Sequence, residues 1–157
     1  MREVLYRGKR VDNGEWVYGY YYKIPAPPVC FKEDKKVVQV KHFIILEHPN
    51  YVPDWGMPRK MVQVEVDPET VGQCIGLPDK NGKKIYEGDF VAFEDGTSTE
   101  AGFMDFVSIG EVEWVKEIAG FTVSDRASAD IECVFESCEV VGNKWDTPDL
   151  LNKTIGD

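Results

Sequence analysis

Histidines, cysteines and long apolar runs are the features that this 157-residue sequence has least of. No apolar run approaches the roughly 20 residues that a membrane-spanning helix requires. The N-terminal stretch MREVLYRGKRVDNGEW turns polar before the apolar segment of a signal peptide could form. We therefore expect a soluble, cytoplasmic protein that has no membrane partner.

The four cysteines have a spacing that fits neither a CxxC redox pair nor a zinc knuckle. They are Cys30, Cys74, Cys133 and Cys138. Thiols of cytoplasmic proteins are kept reduced, so an even number of cysteines does not imply pairing in this compartment. We expect reduced, partly buried thiols and no disulfide.

Signatures of catalysis are scarce as well. Nucleophilic catalysis by Ser or Cys normally needs a histidine base in reach, but His42 lies inside an apolar strand pattern and His48 precedes a proline. Neither histidine has a zinc-ligand neighbour at suitable spacing, and no glycine-rich phosphate loop occurs. We expect no catalytic residue, no metal site and no cofactor, and we predict that the protein is not an enzyme.

Neighbouring carboxylates keep one enzymatic alternative open, because acid pairs can serve glycoside chemistry or bind Mg²⁺. The pairs are Glu87/Asp89, Glu94/Asp95 and Glu111/Glu113. Glu111 and Glu113 flank Val112 and so share one strand face, which is the pattern of a solvated sheet surface. Among 28 acidic residues such pairs arise by chance, so a hydrolase or metal-dependent enzyme is only an alternative.

The net charge of −10 is distributed unevenly along the chain. Residues 1–60 carry eleven Lys/Arg and seven Asp/Glu, a net of +4, whereas residues 61–157 carry seven and twenty-one, a net of −14. Such a split favours head-to-tail or two-faced association, although charged side chains that merely solvate exposed strands would give the same count. The overall sign is wrong for DNA, whose phosphates attract clustered cations.

An apolar period of two residues runs through most of the chain and predicts β-strands. REVLYRGKRV, DNG and EWVYGYYY form a predicted β-hairpin, in which Asn13 and Gly14 supply the positive φ of a tight turn. Four aromatic side chains of the second strand share one face: Trp16, Tyr18, Tyr20 and Tyr22. We expect this face to be sheet core, with a stacking platform for nucleic acid as the alternative.

The fold class predicted is mainly β, or at most a β-rich α+β fold. Further strands are predicted over 35–46, 61–66, 89–95, 106–115, 121–125, 130–136 and 138–143, with a loop over 96–102 and a short C-terminal helix at DTPDLLNK. An N-terminal subdomain of hairpin and sheet is expected over residues 1–66, with a proline-rich excursion over 25–60. Residues 67–157 are expected to form a small SH3-like β-barrel type of subdomain that shares one compact unit with the first.

The densest stretch of the chain is DKNGKKIYEGDFV, residues 79–91. Asp79 can bond the backbone two residues on, and Asn81 with Gly82 can supply left-handed φ values. Gly88 and Asp89 mark a tight bend before the next strand, as at the corner of a small barrel. The candidate interaction surface consists of the basic residues around this turn and the first hairpin: Arg7, Lys9, Arg10, Lys80, Lys83 and Lys84.

Three blocks of the sequence resemble the YopX family of phage and prophage proteins. They are YRGKRVDNGEWVYG, VDPETVGQCIGLPDKNGKKIYEGDFV and EVVGNKWDTPDLL. In the last block Lys144 and Trp145 depart from the aliphatic and aromatic residues usual in the family, so a rearranged core contact is expected there. The resemblance implies a small phage protein without an assigned activity, with homo-oligomers in some members, and it brings no catalytic residue with it.

Together these observations predict a non-enzymatic phage or prophage accessory protein that acts by binding proteins. Its expected partners are further copies of itself and an unknown phage or host protein. The alternative is a nucleic-acid-binding small-barrel module, in which Arg2 and the six basic residues of the candidate surface would contact phosphates.

Overall fold

The computed structural model describes residues 4–25, 40–48, 60–99, 102–124, 134–135 and 137–154. The described chain divides into two compact units, an N-terminal unit over Val4–Gly72 and a C-terminal unit over Gln73–Asp157. The sequence predicts the division after residue 66. It falls later because a 3₁₀ turn at Pro68–Thr70 stays bound to the first strand, where Thr70 Oγ1 accepts a hydrogen bond of 2.8 Å from the Lys9 N–H.

The N-terminal unit is built from four antiparallel strands in the order β4-β3-β2-β1. Their bounds are β1 (Tyr6–Lys9), β2 (Trp16–Ile24), β3 (Lys41–Glu47) and β4 (Met61–Glu65). The first hairpin is confirmed. Strands β3 and β4 also pair, in register from Phe43–Glu65 to Glu47–Met61. At one end Arg10 bridges to Val66, so the end of β1 also meets the end of β4.

The core of the N-terminal unit is small, and it lies on the side of β2 opposite the aromatic face. Val17, Ile44 and Val66 are its buried members. On the other side of β2, Tyr18 is 50% exposed and Tyr20 is 49% exposed. The expectation that the aromatic face forms sheet core is therefore wrong.

The physical reason is the lack of room on the inner side of this sheet. A Cβ on Gly8 would lie 3.1 Å from the Cβ of Val66, and one on Gly19 would run into the Ile45 carbonyl oxygen. Aromatic rings do not fit into such close backbone approaches. Val17 and Gly19 therefore point inward, and Tyr18 and Tyr20 point outward.

The C-terminal unit combines a hairpin with a four-stranded antiparallel sheet in the order β10-β7-β8-β9. Strands β5 (Gly72–Pro78) and β6 (Lys84–Tyr86) form the hairpin, and the sheet contains β7 (Asp89–Thr99), β8 (Gly102–Val115), β9 (Gly120–Val123) and β10 (Glu139–Asn143). Its core is larger: Ile75, Ile85, Val91, Phe93, Val112, Val123, Val134, Phe135 and Cys138. The mainly β prediction is confirmed. In place of the predicted small barrel, the structure has the β5–β6 hairpin, which shares a core with the four-stranded sheet.

Two strand-level predictions for this unit are wrong. The predicted loop over 96–102 is mostly ladder, since β7 runs to Thr99 and pairs there with Gly102. The predicted strand over 130–136 is helical at Val134 and Phe135, and the Cys138 N–H donates to the Val134 carbonyl at 2.9 Å. A helical turn places both of these positions on one side, so both can be buried, whereas a strand would alternate them.

The described chain ends in a 3₁₀ segment over Pro148–Thr154, where the sequence predicts a short C-terminal helix. This segment contacts β8. Within the described residues, no helix is both long and apolar enough to cross a membrane.

Candidate functional site

The basic residues of the first hairpin are held by neighbours within the N-terminal unit. Arg7 is only 5% exposed, and its guanidinium lies over the Trp16 ring at 4.7 Å. The ammonium of Lys9 lies over the same ring at 5.3 Å. Arg10 donates from Nε and Nη2 to the two carboxylate oxygens of Asp12 at 2.8 and 2.6 Å, which raises the pKa of Arg10 and lowers that of Asp12. These cations are already engaged, and Arg7 is no exposed phosphate contact.

The basic residues of the central turn surround a buried acid. Asp79 is 5% exposed, and its carboxylate accepts hydrogen bonds from the N–H groups of Asn81, Lys83 and Val140 at 2.8, 2.9 and 3.1 Å. Burial alone would raise the pKa of Asp79, but these three donors more than offset it and the pKa lies below its ordinary value. Asp79 thereby ties the turn to β10.

The three lysines of this turn differ in their engagement. Lys80 forms an ion pair of 2.7 Å with Glu139, and this contact raises the pKa of Lys80. Lys83 and Lys84 are exposed, and in the part of the chain that the structure describes neither forms a salt bridge. Among the described residues of the candidate interaction surface, Lys83 and Lys84 are the exposed cations with no described ion pair or ring contact.

Of the six turn positions predicted from sequence, four lie in turns or bends: Asn13, Asn81, Gly82 and Gly88. Gly14 follows the first turn, and Asp89 is the first residue of β7. The left-handed φ values belong to the glycines alone, at 72°, 82° and 81° for Gly14, Gly82 and Gly88. Asn13 contributes instead through its side chain, whose Oδ1 accepts from the Glu15 N–H at 3.0 Å. Asp89 is buried and accepts from the Tyr86 N–H at 2.8 Å.

Glu111 of one acid pair and His42 are used for structural contacts. Glu111 accepts from the Lys144 ammonium at 3.1 Å, and the Nδ1 of His42 shares a hydrogen bond of 2.6 Å with the Tyr21 hydroxyl. Groups of three or more His, Cys, Asp or Glu side chains that could hold a metal do not occur in the described ranges.

Two of the four cysteines lie in the described chain, and both are free and buried, as expected. Burial, with Asp79 nearby, raises the pKa of the Cys138 thiol to about 11. Cys30 and Cys133 lie outside the described residues.

An exposed aromatic surface is the most distinctive feature of the N-terminal unit. We define the aromatic face by Trp16, Tyr18, Tyr20 and Tyr22 of β2. Tyr22 stacks on Phe43 of β3 at 5.3 Å and donates to Gln63 of β4. Lys9 stands at one side of this face on β1, and on the other side Lys41 of β3 forms an exposed ion pair of 2.9 Å with Glu65.

A second apolar surface lies at the end of the β8–β9 hairpin in the C-terminal unit, and the sequence reasoning missed it. We define the hairpin tip by Trp114, Ile118 and Phe121. Trp114 is 46% exposed and meets Phe121 edge to face at 5.0 Å, and Ile118 is 57% exposed. The available signal was a Trp near the end of one predicted strand and an Ile within the short turn that follows it.

The terminal block that departs from the family pattern packs closely on the central bend. A Cβ on Gly88 would lie 2.5 Å from the Trp145 ring, so the indole occupies the space that the missing side chain leaves. The Lys144 ammonium lies over that ring at 4.8 Å. The Asn143 Oδ1 accepts from the N–H groups of Trp145 and Asp146 at 3.0 and 2.9 Å, which fixes the loop.

The chain was compared with known structures and protein families. The fold is similar to the crystal structure of protein EF1440 from Enterococcus faecalis, with a TM-score of 0.50 and 18% identity over 96% of this chain and 99% of that chain. None of the curated proteins matches the sequence. The YopX protein family matches residues 5–152, which is nearly the whole chain. The chain therefore belongs to the YopX family.

Proposed function

We propose that this protein is a non-enzymatic phage or prophage accessory protein that acts by binding proteins, and that it binds further copies of itself. The main support is the aromatic face, on which Tyr18 and Tyr20 are half exposed. Tyrosine, tryptophan, methionine and arginine are the residues enriched in protein interfaces, and Tyr and Trp dominate their hot spots. Met61, on β4 of the same sheet, is also exposed.

The charges around the aromatic face favour a protein partner over nucleic acid. Arg7 and Lys9 already lie over the Trp16 ring, and Lys41 is paired with Glu65. Phosphate binding gains its affinity from cations that replace condensed counterions, so cations that are already engaged contribute less. A protein partner needs only the rings and a polar rim.

A nucleic-acid-binding module remains the second candidate function because Lys83 and Lys84 are exposed and outside any described salt bridge. An electrophoretic shift assay at low salt tests it with single- and double-stranded DNA and RNA. Retardation that Lys83→Glu/Lys84→Glu abolishes would support this function. Unretarded probes at tens of micromolar protein would reject it.

Self-association is tested by light scattering during gel filtration over a range of protein concentrations. We expect the wild-type protein to exceed the monomer mass and Tyr18→Ser/Tyr20→Ser to elute as a monomer. The matched control is Tyr21→Phe, which alters the opposite side of the same strand at its contact with His42 and is expected to keep the wild-type mass. A wild-type protein that is monomeric at every concentration contradicts the proposal.

The phage or host partner requires a separate experiment. Affinity capture from infected or lysogenic cells, with and without nuclease treatment, separates a protein partner from one bridged by nucleic acid. A partner captured equally with and without nuclease, but lost with Tyr18→Ser/Tyr20→Ser, would place protein binding on the aromatic face.

A further inference from the structure

We infer that the aromatic face of one copy binds the hairpin tip of another copy, so that copies join head to tail. This rests on the self-association proposed above and names the surfaces that carry it. The two surfaces belong to different units of the chain and are the ones where the described aromatic side chains are half exposed.

The two surfaces match in their apolar chemistry. Trp114 and Ile118 project at the end of a hairpin, a shape that can insert between side chains of a broader surface. Tyr18 and Tyr20 alternate along β2 and are about 7 Å apart, since a strand rises about 3.4 Å per residue. Aromatic rings prefer edge-to-face and offset contacts, which this spacing permits for an inserted indole.

The charges around the two surfaces are complementary. Lys9 and Lys41 stand on either side of the aromatic face, with Lys41 in an exposed ion pair with Glu65. Glu113 and Glu117 are exposed beside the hairpin tip, together with Lys116. Residues 4–72 carry ten Lys/Arg and nine Asp/Glu, a net of +1, and residues 73–157 carry seven and eighteen, a net of −11. Complementary potentials favour the correct encounter and disfavour like-charged pairings.

This charge distribution decides between two symmetries. A two-fold contact of tip with tip would bring the exposed Glu113 and Glu117 of both copies together within acidic units. A heterologous contact of tip with face avoids that repulsion. Heterologous contacts close into rings or continue as filaments, depending on the rotation between successive copies.

Two complementary variants test the head-to-tail contact. Tyr18→Ser/Tyr20→Ser removes the face and keeps the tip, and Trp114→Ser/Ile118→Ser removes the tip and keeps the face. Each alone is expected to weaken self-association at least about tenfold, as hot-spot truncations do. Mixed in equal amounts, the two retain one intact face and one intact tip between them, so the mixture is expected to form dimers that do not grow further.

Light scattering of each variant and of the mixture gives the result, with circular dichroism to show that each variant is folded. A tip variant that keeps the wild-type mass overturns the inference while leaving the proposed self-association in place. A mixture that stays monomeric also overturns it, because face and tip would then not contact each other. A monomeric wild type overturns both.

Charge reversal provides a second measurement that does not remove apolar area. Glu113→Lys/Glu117→Lys is expected to weaken self-association, and mixing it with Lys9→Glu/Lys41→Glu is expected to restore association between the two variants. Lys83→Glu/Lys84→Glu is the control and is expected to leave the mass unchanged. If the control weakened self-association equally, the inference would be overturned, because the effect of charge would then not depend on its position at the aromatic face or the hairpin tip.

Discussion

The two units of this protein differ in the aromatic residues that they bury. In the C-terminal unit Phe93 and Phe135 are buried in a core that a hairpin and a helical turn cover. In the N-terminal unit the core cluster is aliphatic, Phe43 is buried outside it, and Tyr18 and Tyr20 face outward. Both units are built from antiparallel strands, so the strand pattern alone does not determine which face becomes the core.

The difference arises from how closely the backbones approach each other. Gly8 and Gly19 allow the inner side of the N-terminal sheet to contact Val66 and the Ile45 backbone directly. The C-terminal unit instead has a second layer, in which Ile75 and Ile85 of the β5–β6 hairpin pack on the sheet. The layered C-terminal unit has room for phenylalanines in its core, whereas the inner side of the N-terminal sheet at Gly8 and Gly19 does not.

The close approach at Gly19 is the feature whose loss should cost the most. Gly19→Ala places a Cβ against the Ile45 carbonyl oxygen, a backbone atom that cannot move aside easily. We expect a loss of about 3 kcal/mol in the free energy of unfolding, at the upper end of overpacking effects. Urea unfolding followed by circular dichroism measures it.

The matched control for this substitution lies in the C-terminal unit. A Cβ on Gly120 would meet its nearest atoms at 3.7–3.9 Å, which is ordinary contact. Gly120→Ala should therefore change the stability by no more than about 0.5 kcal/mol. If Gly19→Ala and Gly120→Ala lowered the free energy of unfolding equally, the packing around Gly19 would be no closer than that around Gly120.

The C-terminal unit contains a buried carboxylate, that of Asp79, which joins the central turn to β10 through hydrogen bonds. Asp79→Ala removes the acceptor of three backbone hydrogen bonds, and we expect it to cost about 2 kcal/mol at neutral pH. Because the pKa of Asp79 is lower in the folded than in the unfolded chain, its stabilisation is full above the ordinary aspartate value of about 3.9. It is lost as the pH falls below that value through the folded pKa.

The pH dependence is measured by urea unfolding of the wild type and of Asp79→Ala between pH 7 and pH 2. The stability difference between them should be constant down to about pH 4 and then shrink on further acidification. A difference that grows on acidification would mean that burial, and not the three donors, controls the ionisation of Asp79. Asp149→Ala, at an exposed acid, is the control and should show neither effect.

The smallest expected change concerns the Cys138 thiol. Its pKa of about 11 and its burial keep it neutral and inaccessible at pH 8, so a thiol reagent should label it only when the C-terminal unit opens. The measurement uses a variant with Cys30→Ser, Cys74→Ser and Cys133→Ser. Labelling should be negligible in the folded protein and complete in urea, and fast labelling of the folded protein would contradict the buried core.

Local signals in the sequence predicted much of the fold. The β1–β2 hairpin follows from a turn at Asn13 and Gly14, and most of the strands follow from the apolar period of two residues. Long-range effects were not predictable in this way. The helical turn at Val134 and Phe135 depends on a core assembled from distant strands, which no local pattern contains.

Prediction of the candidate surfaces from sequence was limited in the same way. The sequence identified the aromatic face as a set of residues but assigned it to the interior, because burial depends on what packs opposite. Of the six basic candidates, the sequence could not distinguish Lys83 and Lys84 from Arg7, which the tertiary structure buries against Trp16. The hairpin tip at Trp114 and Ile118 was missed because an exposed Trp and a buried Trp share the same strand pattern.

The sequence by itself determined the family, the mainly β class, and the turns at which Gly14, Gly82 and Gly88 have positive φ. These depend on backbone conformation and on the period of apolar residues, both of which are local. Only the tertiary structure decided that Tyr18 and Tyr20 of β2 face outward and that Asp79 is a buried anchor for β10. Those outcomes depend on how closely distant segments approach, which is set by packing and not by the order of residues along one strand.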